Sequence, residues 1–386
     1  MGESFITGWG HTKFGRFDGD LEALILTAAR EAIDHAGITP DAIDAIWIGH
    51  FNAGMVHEAF PSSLVLNLDP AMRFTPATRC ENACASGSAA VYSAREAIRA
   101  GSIKRALVIG VEKMTAKDTA GVTEALGGAS YQREEAGTSF PQVFARFAQA
   151  YSQAYGDCSE TLARIAAKNH ANAMNNPLAQ LQKALSVEFC NTVSDKNPMI
   201  AAPLRMTDCS LISDGAAALV LTDESLLGEH ARAVGFRAAV QVNDFMPMSR
   251  RTLLDFDGPA EAFRRAYAAA GITAADLSCA EVHDCFTIAE LLTYEAMGIT
   301  PRGRGRQAIE DGTVLAGGRL PVNLSGGLKA KGHPVGATGV SMHVMGARQV
   351  LGEAAQMQVP GAELACVFNM GGAAVANYVS ILEAAK

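Results

Sequence analysis

An internal echo constrains the fold of this chain more than any single motif. Early on, Leu21, Leu24, Ile25, Ala28, Ala29, Ala32, Ile33 and Ala36 fall at helical spacing, and Gly37 ends that helix. Thr39-Pro40-Asp41 restarts a short helix, with Thr as N-cap and Pro in its first turn, and Ala45–Gly49 (AIWIG) reads as a buried strand. The grammar returns much later. Ala262–Ala270 is helical, Gly271 stops it, Thr273 restarts it, and Ala280–Val282 is the strand. Ala32, Ala36, Gly37, Ile38 and Thr39 match Ala266, Ala270, Gly271, Ile272 and Thr273 letter for letter. A second echo pairs Ala85-Ser86-Gly87 and its helix with Ala337-Thr338-Gly339 and its helix, each followed by a buried strand (ALVIG at 106–110, ACVFN at 365–369). Two echoes in one order at similar offsets indicate duplication. Helix alternating with short apolar strand predicts an α/β protein whose sheets are covered by helices.

The stretch between the copies reads differently. Phe140–Tyr155 and Ser159–Asn176 look like amphipathic helices joined by polar turns, and Asp208–Leu221 then re-enters the first half as a turn and a core strand. Three parts follow. Residues 1–114 with 206–230 form an N-terminal half, 115–205 a mostly helical insertion over the site, and 231–386 a C-terminal half.

Composition removes several functions. A formal net charge of -8 leaves no basic face for nucleic acid, and no polybasic tail marks a membrane surface. The eight cysteines are scattered with no CxxC pair, which argues against a zinc ribbon or a disulfide framework and for a reducing compartment. Met1–Gly10 lacks the basic start and apolar run of a signal peptide. Glu363–Leu382 is the most apolar long segment, but Asn369, Gly371, Gly372 and Asn377 interrupt it, so it reads as strand–turn–strand. The expectation is a soluble cytoplasmic protein with neither metal nor permanently bound cofactor.

Chemistry concentrates at four places. Cys84 closes TPATRCENAC and precedes the helical run Ala89–Ala100, where backbone N–H groups and the positive helix end favour thiolate. Small neighbours leave room for a substrate. Cys285 lies in His283-Asp284-Cys285-Phe286, and His333 in a glycine-rich turn. The stretch 326–339 lacks the Gly-Lys-Ser/Thr ending of a phosphate loop. Two thiols and an imidazole suit acyl transfer. Arg302, Arg304 and Arg306 form a small basic cluster that is either a solvated loop or a contact to nucleotide phosphates. The remaining six cysteines read as structural.

NLSGGLKAKGHPVGATG at 323–339, SDGAA at 213–217, GVEKM at 110–114 and the Cys84 turn together resemble the thiolase superfamily, over essentially the whole chain. HDCF at 283–286, with Lys168-Asn169-His170 and Asn176-Pro177, resembles its sterol-carrier-protein-type and archaeal branch. The resemblance implies a duplicated five-layer α-β-α-β-α fold, at least a dimer, and acyl-CoA and CoA as substrates. It implies an acyl-CoA C-acyltransferase: thiolysis of a 3-ketoacyl-CoA, or the reverse condensation. Cys84 would carry the acyl group and His333 would take the thiol proton. Most thiolases hold a second thiol in a C-terminal Cys-x-Gly turn; here that turn is Asn369-Met370-Gly371, and Cys285 is the substitute. His283 would stabilise a thioester enolate, and the N–H groups of Cys84 and Gly371 the tetrahedral oxyanion. Rival readings are a CoA-ester aldolase working with an OB-fold partner, a synthase using acyl-carrier protein, and a non-catalytic acyl-CoA or lipid carrier. Acyl length, flux direction, CoA contacts and dimer against tetramer stay open.

Overall fold

The computed structural model describes residues 2–386. In chain order the first half comprises β1 (Ser4–His11), α1 (Leu21–Ala36), β2 (Ala45–Gly49), α2 (Pro61–Leu64), β3 (Ala77–Cys80), α3 (Ser86–Arg99) and β4 (Arg105–Lys113). Then come α4 (Thr119–Gly127), α5 (Gln132–Glu135), α6 (Phe140–Tyr155), α7 (Ser159–Ala173) and α8 (Val187–Asn191). The small hairpin β5 (Met199–Ala201) and β6 (Leu204–Arg205) follows, and β7 (Asp214–Asp223) rejoins the first half. The second half runs β8 (Val234–Asn243), α9 (Asp257–Ala270), β9 (Cys279–Val282), α10 (Thr287–Ala296), α11 (Arg306–Glu310), α12 (Thr338–Val350), β10 (Leu364–Gly371) and β11 (Ala376–Ala384).

The strands follow the order β3-β2-β4-β7-β1-β8-β11-β10-β9. Split between β1 and β8, this is one pattern written twice: β2-β4-β7-β1 corresponds to β9-β10-β11-β8. Even β3 has a trace of a counterpart, because Val322 bridges Ala280 in parallel as Ala77 pairs Ile46. Among the described residues, Phe5–Gly235 and Ile6–Val234 are the pairs that join the two half-sheets. The duplication seen in the letters is therefore a duplication of topology.

Both faces of the first half-sheet are covered. On β7, Ala216, Ala218 and Val220 pack with the apolar stripe of α1, while Ala217, Leu219 and Leu221 face the opposite core. A strand buried on both sides reads as a continuous apolar run, and this one does. Helix α1 starts on the Asp20 carboxylate, which accepts from the Ala23 N–H, and stops at Gly37 in the left-handed conformation. Helices α3 and α12 fill the space between the half-sheets, giving the five layers of the expected class.

Where α3 and α12 cross, no side chain fits. A Cβ on Gly87 would lie 2.7 Å from the Gly336 oxygen, and one on Gly339 would lie 2.3 Å from the Ser88 nitrogen. The two pseudo-equivalent helices thus meet at their N-terminal ends. No helix is long and apolar enough to cross a membrane among the described residues.

Candidate active site

The crossing of α3 and α12 decides where the chemistry collects. Cys84 sits two residues before α3, and the His333 turn leads into α12. His283 follows the C-terminal end of β9, and β10 runs parallel beside it, ending at Gly371. Ligand sites of α/β sheets form at such strand ends. The thiol of Cys84 and a ring nitrogen from each of His283 and His333 lie within 4.8 Å of one another, all three residues buried. The imidazoles meet edge to face at 5.1 Å between centroids. Cys285 is buried beside them, close enough to Cys84 for that sulfur to bear on its charge. Cys84, Cys285 and His333 open onto one cavity of about 1010 Å³.

Cys84 stands on a bent elbow. Ala83 has φ of 50°, an uncommon value for a residue with a side chain, held by the Glu81 carboxylate on its N–H at 2.5 Å. The Ser86 hydroxyl accepts from the Asn82 N–H and donates to the Ala83 carbonyl. The helix end does not make the thiol acidic, as the sequence alone suggested. Burial pushes it up to about 12, and the Glu112 carboxylate adds to the rise; these outweigh the N–H groups of Gly372 and Cys84 pointing at the sulfur. Burial likewise raises Cys285 well above its ordinary value, with Cys84 and Asp284 contributing. Both sulfurs rest as thiols.

The two imidazoles hold opposite tautomers, fixed by their neighbours. The Asn369 side-chain nitrogen donates to the Cys84 carbonyl at 3.2 Å, and the Ser88 hydroxyl lies 2.7 Å from its oxygen. That orientation makes the same amide a donor to His283 Nδ1 at 2.9 Å. The neutral ring must then carry its proton on Nε2, which has no partner. His333 is set the other way. The single hydroxyl proton of Thr338 goes to the Pro334 carbonyl at 3.0 Å, so the oxygen accepts from His333 Nδ1 at 2.7 Å. His333 Nε2 is left bare and also has no partner. Burial holds both rings neutral, lowering His333 to about 3 with Lys331 adding, and His283 well below its ordinary value with His333 adding. One ring can accept a proton and the other can donate one. A metal ion would need lone pairs from both, which the Asn369 contact denies it at His283.

Supports extend outward from this centre. Glu112, fully buried, accepts from the N–H groups of Phe51, Asn52 and Gly336, tying the His333 turn to the first half. Asp284 accepts from the Leu328 and Lys329 N–H groups and from the Asn169 amide, which also reaches Glu290. Lys168 binds Glu290 at 2.5 Å and the Val322 carbonyl at 2.8 Å. Asn176 donates to the Ser325 carbonyl. So Lys168, Asn169 and Asn176 brace the loops bearing Cys285 and His333 from outside.

Several sequence expectations shift once the side chains are placed. Gly371 does not line the cavity. It pairs with Ala376 in the ladder, and a Cβ there would strike the Asn82 oxygen at 2.2 Å. The next glycine, Gly372, lines the cavity and directs its N–H at Cys84. Arg302 and Arg306 are engaged away from the cavity, with Asp255 and with the Tyr155 carbonyl. The lysines on the cavity are Lys183, Lys196 and Lys329. Cys209, read as structural, also lines it. The roles of Asn369, Thr338 and Glu112 were missed, although each lies inside a stretch already singled out.

Comparison with known proteins gives the family of the chain. The family description "Thiolase, N-terminal domain" matches residues 4–225, and "Thiolase C-terminal domain-like" matches 240–384. The chain belongs to the thiolase family. It is 38% identical to the acetyl-CoA acetyltransferase of Methanothermobacter thermautotrophicus, over 96% of this chain and 97% of that protein. It is 33% identical to human sterol carrier protein 2, over 95% of this chain and 69% of that protein. Among solved structures, the Ltp2-ChsH2(DUF35) aldolase superposes with a TM-score of 0.84 at 23% identity, covering 99% of this chain and 98% of that one. Human mitochondrial 3-ketoacyl-CoA thiolase in complex with CoA gives 0.76 at 15% identity, covering 100% and 98%. These two likenesses concern the fold.

Proposed function

We propose that this thiolase is an acyl-CoA C-acyltransferase that works through an acyl group on Cys84. His333 Nε2 takes the Cys84 proton as the sulfur attacks the thioester or 3-keto carbon. The N–H groups of Cys84 and Gly372 receive the oxyanion, and collapse expels CoA thiolate or an enolate, leaving acyl-Cys84. In the condensation direction Cys285 gives its proton to the departing CoA thiolate and, as the resulting thiolate, removes the α-proton of a second acyl-CoA. His283 Nε2–H holds the enolate oxygen, and the carbanion attacks acyl-Cys84 to give a 3-ketoacyl-CoA. Thiolysis is the reverse.

The observation that carries this reading is the pair of opposite tautomers beside two thiols, because the two half-reactions need one base and one donor at a single carbon centre. The chain's likeness to acetyl-CoA acetyltransferase over nearly its full length supports it. The rim lysines Lys183 and Lys196 suit the phosphates of CoA, which we take as substrate and not as a resident group. An aldolase has no use for an acyl-accepting thiol, so Cys84 weighs against that reading and a non-catalytic carrier alike. The reading includes a cytoplasmic enzyme, in keeping with eight free cysteines, and at least a dimer, in keeping with the open outer edge of β3. An OB-fold partner is not required by it.

The test is brief mixing with acetyl-CoA followed by peptide mass analysis. An acetyl increment on the Cys84 peptide is expected, retained in Cys285→Ala while that variant loses condensation and thiolysis. Label elsewhere, or full turnover by Cys285→Ala, would remove the assignment.

A further inference from the structure

Three lysines are buried in the second half and its supports, and two have partners. Lys168 is paired with Glu290, and Lys331 donates to Ser341 at 3.1 Å with Glu281 at 3.9 Å. Lys329, 3% exposed, forms neither ion pair nor side-chain hydrogen bond among the described residues, though it lines the cavity. The carboxylates nearest to it are already engaged: Asp208 by Arg205 and Thr287, Asp284 by backbone N–H groups and Asn169. His170, 2% exposed, lines the same cavity close enough to Lys329 to feel its charge, its ring held by the backbone of Lys183. An ammonium so largely withdrawn from water, with no counter-charge of its own, is costly unless something fills the space beside it.

We propose that Lys329 and His170 form a subsite for a carboxylate carried on the acyl chain of the substrate. The proposal deepens the acyltransferase reading and rests on it. Location separates this carboxylate from the phosphates of CoA. Lys329 belongs to the tight turn Gly327–Lys331, whose N–H groups are held by Asp284, the neighbour of Cys285. Cys209, close to the Lys329 ammonium, precedes Ser210, which donates its N–H to the Cys285 carbonyl at 2.9 Å. The subsite therefore adjoins the reacting centre. Lys183 and Lys196 are exposed, at the rim, where phosphates keep their water. A carboxylate entering beside Lys329 and His170 supplies the counter-charge that the ammonium lacks.

The test measures binding on Cys84→Ala protein, so that thioesters stay intact and activity is not the readout. Succinyl-, glutaryl- and adipyl-CoA are titrated calorimetrically against butyryl-, valeryl- and hexanoyl-CoA. At least one dicarboxylic ester should bind ~10-fold more tightly than its equal-length neutral counterpart. Adding Lys329→Met should bring that ratio to about one, Lys329→Arg should keep most of it, and His170→Phe should reduce it. Equal affinities for every pair on Cys84→Ala protein would overturn the subsite, whatever the folding of the Lys329 variants. So would a ratio that survives Lys329→Met. Binding of both ester classes with no preference leaves the acyltransferase reading standing; binding of neither overturns both.

Discussion

Asn369 places one amide nitrogen 2.9 Å from His283 Nδ1 and 3.2 Å from the Cys84 carbonyl, so a single side chain sets the imidazole's proton and ties it to the thiol elbow. The position where most thiolases are expected to carry a thiol is thus a hydrogen-bond hub here. Asn369→Asp reverses the polarity of the contact, since a carboxylate accepts from Nδ1–H and leaves Nε2 bare. Condensation should fall ~100-fold or more, as for loss of an oxyanion donor. Acetylation of Cys84, followed by mass, should change only several-fold (about fivefold at most). Single-turnover condensation that matches the parent enzyme would contradict the tautomer assignment.

Thr338 does the same service for His333. Thr338→Val keeps the shape and removes the acceptor for Nδ1–H, so the bare Nε2 is no longer enforced. We expect kcat/KM for thiolysis to drop ~10- to 100-fold while stability falls by only about 1 kcal/mol. Thr338→Ser restores most of the activity. Steady-state kinetics beside thermal melts separate the two effects.

Glu112 raises the Cys84 thiol after burial has done so, and the sign of a change is fixed. Removing a nearby negative charge favours thiolate, so Glu112→Gln moves the pH midpoint of Cys84 alkylation downward. The midpoint is read from iodoacetamide rates across alkaline pH. Glu112→Ala leaves three N–H donors without their acceptor and should cost about 3 kcal/mol or more in urea unfolding.

Lys168 is the buried cation between two carboxylates. Burial and then Glu290 raise Asp284 to about 7, and Lys168 opposes the rise. A carboxyl held above its unfolded value binds its proton more tightly when folded. That contribution is complete below the unfolded value and is lost as pH climbs through about 7. Lys168→Met raises Asp284 further, so the loss extends to higher pH. Unfolding in urea should show a deficit of about 3–5 kcal/mol near pH 8 that shrinks toward pH 5, where Asp284 is protonated. A deficit independent of pH would assign the loss to packing alone.

Much of the fold was legible because its signals are local. The stripe of α1, its Gly37 stop and their copies at α9 and Gly271 were readable from spacing, and the structure writes the same strand order twice. Helix α3 begins at Ser86, three residues earlier than its apolar periodicity suggested, because small polar residues there make the helix crossing and leave no stripe. Within the site, Cys84, His283, Cys285 and His333 stood out by residue type. Gly372 did not, since two adjacent glycines look alike until the ladder assigns one of them to Ala376.

By itself, the sequence determined the duplication, the family pattern, the four chemical residues and the absence of sulfur at position 369. Those are properties of residue type and spacing, which survive without coordinates. Only the tertiary structure decided which ring nitrogen carries a proton, which glycine faces the thiol, and which lysine lacks a counter-charge. Each depends on a polar partner from a distant segment, as Asn369 reaches Cys84 across 285 positions. No local rule of propensity or periodicity contains that contact; it exists once packing brings the two halves together.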